Sequence, residues 1–277
     1  MSFVHDFLPF LRSMLTIAAC VVLGLPLLLY LAQDSMLFHP PPAPRAASVA
    51  AVPGIEAVRV PVADQLTLNG WLARPAGAAA PLPLIIYFGG NAEEVSWMAG
   101  MQPRLAGHAI LAVNYRGYAG NPGNPGETAF LADALAIYDW AVAQPGIDAR
   151  RVVAMGRSLG SAVAVHLAAE RPIARVVAIT PLDSVRSVAS SIYPFVPVSL
   201  LLKHPFDAGA RAARISAPLL AVVAGADRVI PPRHARALFD TWRGPKRWVE
   251  LPGADHNDVD TATGFWPAIA AFLAEKD

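Results

Sequence analysis

Gly156-Arg157-Ser158-Leu159-Gly160 sets a serine between glycines at both i±2 positions, after a short apolar run at 152–155 and before a helix-like stretch at 162–170. A sharp strand-to-helix turn needs this arrangement, because glycine at those positions lets neighbouring backbone approach where a Cβ would clash. The turn would push the Ser158 hydroxyl out of a sheet and leave the Leu159 N–H at a helix N-terminus, able to donate to a developing oxyanion. Ser158 is the candidate nucleophile. A serine hydroxyl reacts poorly without an adjacent base, so a histidine and an acid that orients it must come from elsewhere in the chain. His256 follows a strand-like run at 247–251 by way of Pro252-Gly253-Ala254-Asp255, and Asp227 follows the apolar run at 219–224 by way of Gly225-Ala226. Histidine suits the role because its ordinary pKa of about 6.5 lets it take and return a proton near neutrality. Asp227 also reads as a cap for the helix after it. Asp183, soon after the run at 176–180, competes with it as the acid.

These residues need a frame. Segments 57–62 and 66–74 read as a strand pair around the polar turn Ala63-Asp64-Gln65, and 84–88 is a short apolar strand ending in Gly89-Gly90. Strands follow at 108–113, 152–155, 176–180, 219–224 and 247–251, with helix-like segments at 128–143, 162–170, 234–242 and 261–275. An opening hairpin followed by β-α alternation implies an α/β fold with a mostly parallel central sheet flanked by helices. Reactive residues in such a sheet belong at the carboxyl ends of strands, which is where Ser158, Asp227 and His256 fall, in that chain order.

The order, the elbow and the strand pattern resemble the α/β-hydrolase superfamily over residues 55–275. Within it, Gly89-Gly90-Asn91-Ala92, Asn114-Tyr115-Arg116-Gly117-Tyr118, Gly156-Arg157-Ser158-Leu159-Gly160-Ser161, Gly225-Ala226-Asp227-Arg228-Val229-Ile230-Pro231 and His256-Asn257-Asp258 resemble the corresponding segments of Bem46-like, ABHD12/13/17-type serine hydrolases. Gly89 stands where that group usually has histidine, a change expected to alter local packing and not a backbone donor. The resemblance implies acyl transfer by Ser158, His256 and Asp227, with the backbone N–H groups of Asn91 and Leu159 as oxyanion donors. It implies no cofactor.

The remaining candidates read as structural. His166 lies in the elbow helix and is expected to pack, His108 to begin a strand, and His234 to start a helix beside Pro231-Pro232. Arg116 and Tyr118 either brace a strand-end loop or line a pocket, with bracing preferred. Residues 117–126 read as two successive turns and lack the lysine of a phosphate loop. Histidines and carboxylates do not recur at metal-ligand spacing.

Composition narrows the partners. The 277 residues are 55% hydrophobic with a net charge of +1 and a mean hydropathy of +0.41, which offers no basic face for nucleic acid and points to lipid contact. Residues 14–32 carry no charge and would span about 29 Å as a helix. They read as an uncleaved N-terminal signal anchor, one transmembrane helix within residues 1–35, with Pro26 as a possible kink. Arg12 before the run and the lack of Lys or Arg after it until Arg45 favour a cytoplasmic N-terminus and an extracytoplasmic, periplasmic catalytic domain. A cleaved signal peptide is the competing reading, as is a lipobox at Ile17-Ala18-Ala19-Cys20. Cys20 is the single cysteine, which excludes an intrachain disulfide. A Pro/Ala-rich stalk is expected over 36–54, with the hydrolase domain at 55–277. Residues 184–205 fall where this fold carries its lid, and are apolar enough to contact an acyl chain or membrane, or to pack as an ordinary crossover. The expected substrate is a small acyl ester or thioester, lipid-like in character. An aminopeptidase or amidase with the same triad, and a catalytically silent membrane-tethered binding protein, are the alternatives.

Overall fold

A computed structural model describes residues 3–43, 54–77 and 81–275. The first helix, α1 (Phe3–Ala19), continues through a π-helical turn at Cys20–Gly24 into α2 (Leu25–Leu37). Pro26 offers no N–H and its ring crowds the carbonyl four residues back, at Val22; the wider π turn there accommodates both effects. The stretch Pro9–Leu37 is long and apolar enough to cross a membrane. It runs past the expected end at residue 32, and the polar residues Gln33 and Asp34 stay helical because both find partners on the following domain.

Eight strands form one sheet in the order β1-β2-β4-β3-β5-β6-β7-β8. They are β1 (Ile55–Pro61), β2 (Thr67–Ala73), β3 (Leu82–Phe88), β4 (Ala109–Val113), β5 (Ile147–Arg157), β6 (Arg175–Ile179), β7 (Leu219–Ala224) and β8 (Lys246–Leu251). β2 is antiparallel to β1 and β4, whereas the strands from β4 to β8 are parallel. Between strands lie α3 (Ser96–Ala99), α4 (Glu127–Val142), α5 (Leu159–Glu170), α6 (Val185–Ile192), α7 (Val198–Leu201), α8 (Ala208–Ala212) and α9 (Pro232–Thr241), and α10 (Phe265–Leu273) closes the chain.

Strands β3, β4 and β7 are apolar along nearly their whole length, and β5 becomes so from Val152, because both faces of the sheet are covered. In β3, Leu84, Ile86 and Phe88 join the core that also holds Phe130 and Val163, while Ile85 and Tyr87 join a second core with Met98 and Ile269. This is the period-2 alternation of a pleated strand. The expected α/β-hydrolase architecture is therefore present.

Of the expected stalk, residues 44–53 lie outside the described part. Residues 36–43 pack on the domain. Phe38 is buried in the larger core, its ring 5.5 Å from Phe130 and 6.4 Å from Phe206, and the Ala119 N–H donates to the Pro41 carbonyl at 3.0 Å.

Candidate active site

Ser158 sits between β5 and α5 with φ 53° and ψ −120°, a conformation that costs an L-residue about 1–3 kcal/mol unless its surroundings impose it. They do. A Cβ on Gly156 would lie 2.1 Å from the Gly160 carbonyl oxygen, and one on Gly160 would lie 2.2 Å from that of Phe88, so both glycines are required for the backbone to close. The turn is held by the Ser158 N–H donating to the Ile179 carbonyl at 2.9 Å and by the Ser161 hydroxyl donating to the Ser158 carbonyl at 2.6 Å. Leu159 is the first residue of α5, where a backbone N–H has no partner within the helix.

Three side chains far apart in sequence meet here. Ser158 Oγ lies 2.9 Å from His256 Nε2, and His256 Nδ1 lies 2.7 Å from Asp227 Oδ2. A carboxylate accepts and cannot donate, so Nδ1 carries the proton toward Asp227 and Nε2 is left to accept from the serine hydroxyl. All three residues are buried. The other oxygen of Asp227 accepts from the N–H groups of Val229 (2.9 Å) and Ile230 (2.7 Å). The capping reading and the orienting reading of Asp227 thus describe different oxygens of one carboxylate. The rival acid Asp183 is engaged elsewhere, its Oδ1 2.9 Å from Nδ1 of His234 in the first turn of α9.

Neighbours fix the His256 loop. Asp255 Oδ1 accepts from the His256 N–H at 2.8 Å and Oδ2 from the Arg228 guanidinium at 2.9 Å; these contacts pull the Asp255 carboxyl down to about 2. Arg157 Nη2 donates to the carbonyls of His256 and Asn257, each at 3.1 Å. Sequence reasoning passed over Arg157 because its partners are main-chain oxygens about a hundred residues away.

The turn after β3 lies against the serine: a Cβ on Gly90 would come 3.5 Å from Ser158 Cβ. Glu93 braces it, accepting from the Gly90 N–H (2.6 Å), the Tyr87 hydroxyl (2.7 Å) and Trp97 Nε1 (2.9 Å). Glu93 also went unnoticed in the sequence. The side chain of Asn91 is locked as well, its oxygen accepting from the Tyr118 hydroxyl at 2.8 Å and from the His39 N–H at 3.1 Å, its nitrogen donating to the Leu37 carbonyl. Gly89 is accounted for by packing, since a Cβ there would meet Val95 Cγ1 at 2.6 Å. Val95 occupies the room a histidine would need.

Arg116 and Tyr118 brace, as expected. Arg116 holds Asp133 through two bonds of 2.7 and 2.6 Å and Asp64 through a third of 2.9 Å. Tyr118 is fully buried beneath Asn91. His166 packs in α5, its pKa lowered to about 4 chiefly by burial and next by Arg211. His108 precedes β4, and burial lowers its pKa too. Among the described residues no three His, Cys, Asp or Glu side chains converge as a metal set.

An apolar cavity of about 360 Å³ opens beside Ser158, within the roughly 300–1,000 Å³ usual for small-molecule sites. Its lining includes Leu159 and Leu182, Val188 and Ile192 of the segment after β6, and Leu29 and Met36 of α2. Residues 184–205, the expected lid position, thus supply much of the cavity lining. Their outward residues are bare: Phe195 is 99% and Leu200 85% exposed.

No family model matches the chain. It is similar to an uncharacterized protein of Mycobacterium tuberculosis, 33% identical over 263 residues, covering 94% of this chain and 93% of the relative. The protein bem46 of Schizosaccharomyces pombe is 23% identical, with 80% and 77% covered. An uncharacterized membrane protein of Saccharomyces cerevisiae is 26% identical, with 77% of each covered. Among solved structures, an esterase of Pyrococcus furiosus superposes with a TM-score of 0.67 at 16% identity, covering 86% of this chain and 96% of the other.

Proposed function

Because the chain belongs to the Bem46-like α/β-hydrolase family, we propose that it is a membrane-anchored serine hydrolase cleaving a carboxylic ester or thioester through an acyl-enzyme. The observation that carries this reading is the relay from Ser158 Oγ to His256 at 2.9 Å and from His256 to Asp227 at 2.7 Å. A silent scaffold would have no need of it, nor of a strained serine aimed into a cavity.

The steps follow from the geometry. Ser158 Oγ bonds to the carbonyl carbon while its proton passes to His256 Nε2. The carbonyl π pair moves onto oxygen, and the N–H groups of Leu159 and Asn91 stabilise that charge. Removing one such donor typically slows reaction about 100- to 1,000-fold. The tetrahedral centre collapses, the bond to the leaving group breaks, and the departing alkoxide takes the proton from Nε2. Water then gives a proton to His256 and adds to the acyl carbon; the second collapse returns the proton to Ser158 Oγ and frees the acid. Throughout, Asp227 holds the Nδ1–H tautomer and balances the imidazolium charge.

Hydrolysis of p-nitrophenyl butyrate by the full chain tests the reading. Wild-type turnover with loss of at least about 1,000-fold in Ser158→Ala is expected; equal rates in the two would refute it.

A further inference from the structure

We infer that α2 is a wall of the substrate site as well as part of a tether, and that the cavity takes a single unbranched acyl chain of a membrane-resident ester, with Leu29 setting how long a chain is accommodated. This rests on the serine-hydrolase reading above and deepens it.

The end of α2 is fastened to the lid by polar contacts that leave the intervening surface apolar. Gln33 Nε2 donates to the carbonyls of Tyr30 (2.9 Å) and Leu201 (3.0 Å), and its oxygen accepts from the Lys203 N–H at 2.7 Å. That amide lines the cavity, but both its hydrogens and one lone pair of its oxygen are engaged by the protein. His204 Nδ1 accepts from the Glu127 N–H at 3.2 Å, so its Nε2 carries the hydrogen and donates to Asp34 at 3.1 Å. Lys203 Nζ lies 4.7 Å from the Tyr30 ring centre and 3.6 Å from Asp34.

Between these fasteners the cavity follows the helix. The Leu37 carbonyl accepts from Asn91 beside Ser158, and Leu29 lies eight residues back, about 12 Å along the axis. Leu29 also belongs to the uncharged stretch that reads as membrane-spanning. The slot therefore begins at the reactive hydroxyl and ends at the depth of lipid. Of its lining residues, Ile192, Tyr193 and Val229 are exposed, and the nearby segment carries the exposed Phe195 and Leu200. A slot lined mostly by aliphatic side chains, running from the nucleophile toward the apolar stretch of the helix, fits a hydrocarbon chain bearing its ester at the end.

The test compares p-nitrophenyl laurate with p-nitrophenyl butyrate, using the full chain in phosphatidylcholine vesicles, with fluorophosphonate labelling of Ser158 recorded in each variant. Leu29→Trp fills the distal end of the slot and is expected to lower the laurate-to-butyrate ratio of kcat/KM at least about tenfold, since even one methylene in an apolar pocket is worth about 10-fold. Val188→Trp, which fills the slot from the lid, should lower the same ratio if the helix variant inserts poorly. Leu28→Trp, on the outward face of α2 and 61% exposed, should leave it unchanged. Wild-type ratios in both filled variants, with labelling retained, would overturn the shared slot and leave the hydrolase reading standing. Failure of the wild type to label or to turn over either ester would overturn both.

Discussion

Asp227 divides its work between two oxygens, and that division separates it from Asp183, the other acid at a strand end. Two backbone N–H groups hold Oδ1 and so point Oδ2 at His256, whereas Asp183 is committed to His234. Asp227→Asn should keep the loop geometry and reverse the favoured tautomer, with kcat falling about 10,000-fold. Asp183→Asn should change kcat by much less. Ester turnover of the two variants decides the assignment, and a larger loss in Asp183→Asn would reverse it. The three residues that meet were legible in the sequence because each follows a strand-like run, and the proposed chemistry demands those residue types. Arg157 and Glu93 were not. Their role is to satisfy main-chain groups in other loops, and no spacing rule announces a partner that only the tertiary fold supplies.

At the scale of elements, α5 combines a reactive N-terminus with a buried core face. His166 sits within it near Arg211, Arg171, Arg214 and Glu170, its Nδ1 buried and unpartnered among the described residues. Its pKa in the fold, about 4, lies below the unfolded value of about 6.5. The unfolded chain therefore binds more protons between those values, and the contribution of neutral His166 is complete above about pH 6.5 and lost as pH falls toward 4. Replacing it by leucine should flatten the decline in Tm between pH 7 and pH 4.5; parallel declines in wild type and His166→Leu would show that the ring titrates normally. Strands and helices were readable because β3, β4 and β7 are near-continuous apolar runs and α9 opens on Pro231-Pro232. The reach of α2 was not. Gln33 and Asp34 look like a helix leaving the membrane, and what keeps them helical are contacts to Leu201, Lys203 and His204 some 170 residues onward.

Over the whole molecule, one apolar helix is joined to a hydrolase body without a gap between them: Phe38 enters the core directly after α2. If that helix spans a bilayer as proposed, the cavity it lines lies close to the membrane. From Arg12 preceding the apolar run and the positive-inside bias, we propose that the body lies outside the cytoplasm. A C-terminal reporter that functions only in the periplasm should be active in a bacterial host, and activity of a cytosolic reporter alone would reverse the topology.

The central claim is that Ser158 is an activated nucleophile, and a fluorophosphonate reports activation directly because it forms a covalent phosphonyl ester only with a serine whose proton can be removed. Mass spectrometry of the labelled full chain is expected to place the adduct on Ser158, with labelling lost in His256→Ala while the thermal transition of that variant persists. A folded wild-type protein that stays unlabelled, or one labelled equally after His256 is removed, would contradict it.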